Sequence, residues 1–229
     1  MNQATKRARV IVFDVNETLL DIESLKPWFG RAFGDGHAMR QWFGELILYS
    51  QALTLSGSYS PFGQLAVAVL RMVAEIRGIT LAHGSIDEFN DQLASLPAHE
   101  DAAPALDMLR EAGFRLVTLT NSAPAAGQAV LAKAGLSGYF ERQFSVDSVH
   151  RFKTAIETYR HVSLALGVEA GSLRMVAAHT WDTLGAIAAG WKAALVTRPG
   201  NAALPLGPQQ DISETDLRAV ATRIISADG

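Results

Sequence analysis

A carboxyl group and a hydroxyl group stand four residues apart just after the first apolar run of the chain. Residues 10–13 read Val-Ile-Val-Phe, Asp14 follows them, and Thr18 comes four positions later. In α/β sheets, ligands bind at the carboxyl ends of the strands, which is where such an acid would lie. Asp14 could act as a carboxylate nucleophile that forms a covalent ester. Taken alone, it could equally well be a strand-end Asp that caps the next turn.

Polar side chains also follow the later apolar runs. They are Thr120 and Asn121 after the second run, Lys153 before a helical pattern, and His179 and Asp182 after the third run. Each one alone is more simply explained as a residue near a helix start, where Thr, Asn and Asp are favoured. Together they would bring an acid, a hydroxyl, an amide, an ammonium and an imidazole to one sheet edge, which indicates an active site.

The composition sets limits on the class of protein. The chain has 229 residues, of which 48% are hydrophobic and 19% charged, so we expect a folded globular protein. A net charge of -3 argues against a nucleic-acid or anionic-membrane partner. The lack of cysteine excludes disulfides, thiolate metal sites and a cysteine nucleophile, and it fits a reducing compartment. No run approaches the roughly 18 apolar residues of a membrane span, so we expect a soluble, cytoplasmic protein.

Short apolar runs alternate with helical patterns along most of the chain. The runs at residues 10–13, 115–119, 174–177 and 193–197 are typical of parallel strands that are covered on both faces. Helical patterns lie between them at residues 102–112, 124–134, 154–166 and 181–189. The alternation predicts an α/β fold with a doubly wound, Rossmann-like parallel sheet.

One segment breaks this alternation. Residues 25–97 carry no strand pattern but show helical periodicity at 39–55, 62–76 and 85–96. We therefore predict a helical cap domain at residues 21–97, inserted into a core domain formed by residues 1–20 and 98–229. Residues 199–210 are expected to form an irregular loop, and residues 213–225 a last helix capped by Ser213.

The polar segments resemble the four motifs of the haloacid dehalogenase superfamily of hydrolases. Residues 13–19 look like the first motif and residues 119–122 like the second, and Lys153 looks like the third. The pair Trp181-Asp182 looks like the fourth, so that the resemblance covers about residues 10–197. It implies the predicted core sheet and the cap inserted after the first motif.

The resemblance also implies a role for each motif residue. Asp14 would be the nucleophile, while Thr18, Thr120 and Lys153 would hold it and the oxygens of its ester. Asp182 would orient or activate the hydrolytic water, alone or together with His179. The Lys153 ammonium would keep the carboxylate ionised, because an opposite charge nearby favours the charged form.

Position 16 separates two chemistries within this superfamily. Its phosphatases and mutases usually carry a second Asp two residues after the nucleophile, which protonates the leaving group. This chain has Asn16 there, and an amide cannot donate a proton in that way. An alkoxide leaves far more easily when it is protonated, whereas a halide needs no proton. The residue therefore favours carbon–halogen displacement over cleavage of a phosphate ester.

The chain is similar, more narrowly, to the type II, L-2-haloacid dehalogenase branch. In that branch a cap segment supplies an Arg followed by Gln, as Arg40 and Gln41 do here, and a Tyr stands six residues after the Lys, as Tyr159 does. Without the resemblance, Arg40 would be an ordinary surface residue, and Tyr159 could equally be a core aromatic. The residues implied to contact substrate or halide are Val15, Asn16, Arg40, Thr120, Asn121, Tyr159 and Trp181.

Two departures from the branch bear on the substrate. Ala177 and His179 stand where the branch usually carries Ser and Asn, and His179 introduces a group that titrates near neutrality. His179 could position the hydrolytic water or line a different substrate pocket. The first motif reads Asp-Val-Asn-Glu-Thr rather than the common Asp-x-Tyr-Gly-Thr, so that Glu17 stands in the place of Gly.

The resemblance thus implies hydrolysis of short 2-haloacids to 2-hydroxyacids through an Asp14 ester. It implies binding of the substrate and of a halide ion, a homodimer, and no metal or other cofactor. One alternative is a Mg-dependent phosphatase or phosphonatase, in which Asp14, Asp182 and the Asn16 carbonyl would share the ion. Another is a catalytically silent binding protein with the same fold.

Overall fold

The computed structural model describes residues 9–229, and its centre is a parallel sheet. Within the described residues the sheet has six strands in the spatial order β3-β2-β1-β4-β5-β6. The strands are β1 (Val10–Phe13), β2 (Arg115–Thr120), β3 (Arg142–Ser145), β4 (Leu173–Ala177), β5 (Lys192–Val196) and β6 (Ile212–Glu214). This is the strand order of a Rossmann-type doubly wound sheet, so the predicted fold class is confirmed.

Helices cover both faces of the sheet, and the central strands are buried as a consequence. In β1, Val10 and Val12 contribute to one apolar cluster, and Ile11 and Phe13 contribute to the other. All four side chains are buried. Alternate residues of a strand point to opposite faces, so a continuous apolar run is required wherever both faces are covered.

The strands in the interior of the sheet were predicted correctly, and the two edge strands were not predicted. The four predicted strands correspond to β1, β2, β4 and β5 within one residue at each end. The missed strands, β3 and β6, lie at the two edges. Arg142 at the start of β3 is exposed and Gln143 is half-buried, so neither edge strand carries a continuous apolar run that would reveal it.

Nine α-helices accompany the strands in residues 9–229. They are α1 (Lys26–Phe33), α2 (Ala38–Leu55), α3 (Phe62–Ile76), α4 (Ser85–Leu93), α5 (Ala102–Glu111), α6 (Pro124–Lys133), α7 (Ile156–Leu166), α8 (Thr180–Ala188) and α9 (Leu217–Asp228). Helices α1 to α4 follow β1 and precede β2, as expected for an inserted cap, and α1 was not predicted. No helix in this part of the chain is both long and apolar enough to cross a membrane.

The prediction of the last helix was wrong at its start. Ser213 lies within β6, and α9 begins only at Leu217. The Asp216 carboxylate accepts a hydrogen bond of 2.9 Å from the Ala219 N–H and so caps the helix. Both Ser and Asp are good caps, and the competing strand pairing of residue 213 with Leu195 decides between them.

Four aromatic side chains hold the helices of the inserted segment together. Trp28 and Phe29 of α1 pack against Trp42 of α2 and Phe89 of α4, with ring centroids 5.1 to 5.7 Å apart. All four are essentially buried. The Trp42 indole N–H donates a 3.0 Å hydrogen bond to the carbonyl of Ala66 and thereby ties α2 to α3.

The order of the strands fixes the place of the site. Strands β2 and β3 lie on one side of β1 and strands β4 to β6 on the other, so the strand order reverses between β1 and β4. Ligands in doubly wound folds bind in the crevice at such a switch point. Phe13 pairs with Val176 in register, and the Asp14 N–H donates a 3.0 Å hydrogen bond to the Val176 carbonyl. The residues that follow β1 and β4 therefore meet at this crevice.

A buried arginine near the start of β4 connects the sheet to the last helix. The Arg174 side chain is fully buried, and its Nε donates to Asp228 Oδ2 at 2.7 Å. Its two terminal nitrogens form a paired contact with the Asp211 carboxylate at 2.6 and 2.8 Å. Bidentate pairs of this kind are the strongest ionic hydrogen bonds in proteins.

We predict that Arg174→Met lowers the free energy of unfolding by about 1.5–3 kcal/mol, because buried Asp228 loses its hydrogen bond from Arg174 while it keeps Lys192 as an ion-pair partner. Urea unfolding followed by circular dichroism measures the change. Arg115→Met is the matched control, since its pair with Glu141 lies at the surface and should contribute about 1 kcal/mol or less. Equal effects of the two substitutions would contradict the prediction.

Candidate active site

Asp14 is the first residue after β1, and a turn at residues 17–19 follows it closely. The Thr18 hydroxyl donates to Asp14 Oδ2 at 2.6 Å and accepts a 2.8 Å hydrogen bond from the Ala178 N–H. Thr18 thus connects the first acid with the backbone that follows β4. Asp14 is buried, with 4% of its surface exposed, so its orientation is determined by the protein rather than by solvent.

The Lys153 ammonium lies between two buried carboxylates. Its Nζ is 2.7 Å from Asp14 Oδ1 and 2.6 Å from Asp182 Oδ2, and it also donates to the Leu119 carbonyl at 3.1 Å. Burial alone would lower the pKa of Lys153, but the two carboxylates raise it above its usual value. Burial likewise raises the pKa of Asp14, yet Lys153 and His179 hold it well below its usual range. The carboxylate is therefore ionised, as a nucleophile must be.

Asp182 is held on its other oxygen by Tyr159. The Tyr159 hydroxyl donates to Asp182 Oδ1 at 2.6 Å, and burial together with this carboxylate raises the pKa of Tyr159 well above its usual value. Helices α7 and α8 approach closely here, because a Cβ on Gly185 would lie 2.5 Å from the Tyr159 hydroxyl oxygen. The tyrosine ring is fully buried. Tyr159 therefore supports Asp182 from behind, whereas the sequence analysis placed it against the substrate.

The second motif is fixed by hydrogen bonds to its neighbours. Asn121 Oδ1 accepts a 3.1 Å hydrogen bond from the Lys153 N–H, and Thr120 Oγ1 accepts one of 3.1 Å from the Ser122 N–H. Both side chains are buried. They lie beside Lys153 at the carboxyl end of β2, as the sequence predicts. Val15, also predicted to contact substrate, is buried in the turn, where its carbonyl accepts from the N–H groups of Leu19 and Leu20.

His179 is buried at the same crevice and contacts two acids. Its Nε2 is 2.6 Å from Glu17 Oε2, and its Nδ1 is 3.7 Å from Asp14 Oδ2, which is beyond hydrogen-bond length. Nδ1 has no hydrogen-bond partner among the described residues. The imidazole is packed between the Trp181 ring, which stacks on it at 4.8 Å, and the Phe43 ring at 5.5 Å.

Glu17 is the site residue that sequence reasoning missed. It is buried, it accepts from His179, and it adopts a φ of +69°, which is unusual for a residue with a side chain. The signal was present in the sequence: Glu17 stands where the resembling motif carries Gly, the residue that adopts this conformation without strain. Strained positions of this kind cluster at functional sites.

The resemblance implies that Arg40 contacts substrate or halide, but in the structure its guanidinium is directed to other partners. Its guanidinium forms ion pairs with the Glu17 and Glu23 carboxylates and donates to the Pro199 carbonyl at 2.6 Å. The reason is electrostatic, because a buried carboxylate on the turn after β1 offers a partner that a sequence pattern does not reveal. Arg40 thus reaches the site through Glu17.

The cations of the site lie beside carboxylates, and these contacts determine how the groups titrate. Burial raises the pKa of Glu17, but His179 and Arg40 lower it below its usual value. Burial lowers the pKa of His179, but Asp14 and Glu17 raise it to about 9. With Lys153 included, the site holds the cations of a lysine, an arginine and an imidazolium at neutral pH.

An apolar cavity of about 700 Å³ lies beside these groups, between the inserted helices and the sheet. Two polar residues, Asn16 and Ser122, line the cavity and directly adjoin the motif residues. The remaining lining is mostly apolar and includes Trp42, Phe43, Leu46, Phe62, Val67 and Leu96. Phe43 therefore borders both this cavity and the His179 ring.

The oxygen atoms of this site do not fit a bound magnesium ion. Both oxygens of Asp182 already accept hydrogen bonds, from Lys153 and from Tyr159, and the ammonium also takes one oxygen of Asp14. Mg²⁺ requires near-octahedral oxygen coordination. Among residues 9–229, no group of three or more His, Asp or Glu side chains has an arrangement suited to a metal ion.

Comparison with known proteins identifies hydrolases of similar sequence. The sequence model of the haloacid dehalogenase-like hydrolase family matches residues 8–190. The chain is 28% identical over 221 residues to the (S)-2-haloacid dehalogenase of Pseudomonas sp. (strain YL), and the match covers 96% of this chain and 95% of that one. It is 30% identical over 198 residues to the (S)-2-haloacid dehalogenase of Xanthobacter autotrophicus, with 86% and 78% covered.

The fold has close structural neighbours as well. The crystal structure of the L-2-haloacid dehalogenase RSc1362 superposes with a TM-score of 0.91 at 29% sequence identity. The superposition covers 96% of this chain and 99% of that one. The likeness therefore extends over the sheet and the inserted helices together.

We predict that Lys153→Met lowers kcat by about 10²- to 10³-fold, the loss found when one preorganised electrostatic partner is removed. The Asp14 pKa should rise, because the ammonium is replaced by a neutral group while Asp182 remains nearby. Activity requires the ionised carboxylate, so the acid limb of the pH profile of kcat/KM should move to higher pH. Lys133→Met, at an exposed position of α6, is the control. An unshifted acid limb would contradict the account.

Proposed function

Because the chain belongs to the haloacid dehalogenase-like hydrolase family, we propose that it is a hydrolytic dehalogenase of short 2-haloacids. The observation that carries the proposal is the environment of Asp14. Its carboxylate is kept ionised by Lys153 and lies at the switch point of the sheet. An apolar cavity begins two residues further along the chain, where Asn16 forms part of its lining. The similarity to named (S)-2-haloacid dehalogenases along nearly the whole chain supports the same activity.

The proposed reaction has two covalent steps. An Asp14 carboxylate oxygen attacks the carbon that bears the halogen, the carbon–halogen bond breaks, and the halide leaves with its electron pair. Water then adds to the carbonyl carbon of the Asp14 ester, the bond between that carbon and the alkyl oxygen breaks, and a 2-hydroxyacid is released. Each turnover yields one halide and one proton and regenerates the carboxylate, as expected of nucleophilic catalysis.

The amide at position 16 supports a halide as the leaving group. Asn16 is half-buried and borders the cavity, where a general acid would have to protonate a departing alkoxide. The phosphatase or phosphonatase alternative is weaker, because it needs both this acid and a magnesium ion. Neither requirement is supported by the residues around Asp14 and Asp182.

The substrate would bind in the apolar cavity, with its carboxylate at the end of the cavity where Asn16 and Ser122 lie. The amide of Asn121, the hydroxyl of Thr120 and the backbone near Asn16 are the candidate partners of the carboxylate or halide. Arg40 would act on these anions only through Glu17, since its guanidinium is already paired. Halide binding, a homodimer and a cytoplasmic location remain predictions from the sequence.

The direct test is halide release. Purified protein mixed with (S)-2-chloropropionate or a haloacetate, without added metal, should release halide and form the corresponding hydroxyacid. Asp14→Asn should abolish release, because an amide has no ionised oxygen with which to attack carbon. Ion chromatography measures the halide. Absence of release from every short haloacid, or undiminished release by Asp14→Asn, would refute the proposal.

The size of the cavity predicts the substrate range. Each methylene that becomes buried should raise kcat/KM by about fourfold, since burial contributes about 0.8 kcal/mol per methylene. We expect (S)-2-bromohexanoate to be a better substrate than (S)-2-bromopropionate. Val67→Phe, at the cavity wall, should remove this advantage, whereas Leu164→Phe, at an exposed position, should not. A preference for the shorter acid in the unaltered protein would show that the cavity does not hold the alkyl chain.

A further inference from the structure

We propose that His179 is the general base for the hydrolytic half of the reaction, that Glu17 positions it, and that ester formation at Asp14 makes it basic. The inference rests on the proposed function, since it assigns the second covalent step. It concerns this chain in particular, because His179 and Glu17 are two of its departures from the resembling motifs. Those departures are in contact with each other, with His179 Nε2 2.6 Å from Glu17 Oε2.

The other groups around Asp14 are engaged. Both oxygens of Asp182 accept hydrogen bonds, from Lys153 and Tyr159. Both oxygens of Glu17 are paired, with His179 and Arg40. Asp182, which the sequence analysis favoured for the water, therefore has no oxygen that is not already an acceptor for another side chain.

His179 Nδ1 is differently placed. It is buried, has no hydrogen-bond partner among the described residues, and lies 3.7 Å from Asp14 Oδ2. The carboxyl carbon is one bond length further, so Nδ1 lies within about 5 Å of the atom that water must attack. A water molecule that donates to Nδ1 at hydrogen-bond length can therefore reach that carbon.

Glu17 determines which nitrogen of the ring is free. When the imidazole is neutral, a carboxylate at Nε2 keeps the proton on that nitrogen and leaves the lone pair on Nδ1, facing Asp14. The φ of +69° at Glu17 costs free energy that a Gly would not. A strained glutamate at the place of a Gly is accounted for if its carboxylate is needed to orient His179.

The charges of the site couple the base to the first covalent step. The titratable groups that face His179 are Asp14 from the end of β1 and Glu17 from the following turn, and Arg40 of α2 and Lys153 act on it through those acids. While Asp14 is ionised, His179 is held as the imidazolium. Esterification removes the Asp14 charge, which is one of the two carboxylate charges that hold the proton on His179. The imidazolium is the most acidic cation of the site, so it is the one that then loses a proton.

The proton inventory of the cycle then closes. After the Asp14 ester forms, the His179 imidazolium releases one proton to solvent. Neutral His179 next takes a proton from water as the water oxygen bonds to the ester carbon. The bond from that carbon to the alkyl oxygen breaks, the alkoxide takes the remaining proton of the attacking water, and Asp14 is again a carboxylate beside an imidazolium. One proton per turnover has left the enzyme.

His179→Gln tests the base itself in a rapid-quench experiment with (S)-2-chloropropionate. We expect one equivalent of halide per enzyme to be released in a burst, followed by turnover that is about 10²- to 10⁴-fold slower, the usual contribution of a general base. Intact-protein mass spectrometry should show the Asp14 ester accumulating. His83→Gln, at an exposed position, should show neither change. Loss of the burst, or turnover within a few-fold of the unaltered protein, would overturn the proposal.

Glu17→Gln tests the positioning role. It removes the charge at Nε2, so the rate of ester hydrolysis should fall and its acid limb should move to lower pH, because the His179 pKa decreases. The halide burst should persist. Glu111→Gln, at the exposed end of α5, is the control. A fall in stability with an unshifted pH profile would mean that Glu17 is structural, and the positioning claim would be withdrawn.

The coupling can be measured without turnover. Asp14→Asn replaces the carboxylate by a neutral group of the same shape, as the ester does, and NMR of labelled histidines gives the His179 pKa. We expect a value of about 9 in the unaltered protein and a decrease of about two units or more in Asp14→Asn, which is enough for the imidazole to lose its proton near neutral pH, with His83 unchanged. An unchanged His179 pKa would overturn the coupling. If the unaltered protein releases no halide at all, the proposed function fails instead, and this separates the two conclusions.

Discussion

The contact on which the site depends is that of one buried ammonium with two buried carboxylates. Lys153 Nζ lies 2.7 Å from Asp14 and 2.6 Å from Asp182, and all three side chains are withdrawn from water. Burying any one of these charges alone would be costly, and the three are stable together because each carboxylate contacts the cation and accepts further hydrogen bonds. The same contact keeps Asp14 ionised in an apolar environment, which is the property a carboxylate nucleophile requires.

The fold supplies the positions that this contact needs. Asp14 follows β1, Lys153 stands before α7, and Asp182 lies in the first turn of α8, so the three come from distant parts of the chain. Parallel strands bring their carboxyl ends to one edge, and the reversal of strand order between β1 and β4 leaves a crevice there. The helices between β1 and β2 add the apolar wall, through Phe43 and its neighbours. The charged groups that contact Asp14 thus lie at the edge of the sheet, while the inserted helices contribute apolar side chains to the cavity.

Much of this arrangement could be predicted from the sequence, because it follows from local patterns. Central strands that are covered on both faces must be apolar throughout, so β1, β2, β4 and β5 were identifiable, whereas the half-exposed β3 and β6 were not. The residues at strand ends were predicted by the same rule. The pairing of Arg40 with Glu17, and the place of Tyr159 behind Asp182, depend on side-chain partners far apart in the chain. Glu17 stands where the resembling motif carries Gly, but its place in the site became evident only from its φ and its contact with His179.

The central claim is that Asp14 forms a covalent bond with the substrate, and isotope transfer in a single turnover tests it most directly. With enzyme in excess over (S)-2-chloropropionate in H2¹⁸O, the oxygen of the new hydroxyl group should come from Asp14. The account predicts unlabelled 2-hydroxyacid and one ¹⁸O in the peptide that contains Asp14, as measured by mass spectrometry. Labelled hydroxyacid from the first turnover, with no label in Asp14, would show that water attacks the substrate directly and would contradict the account.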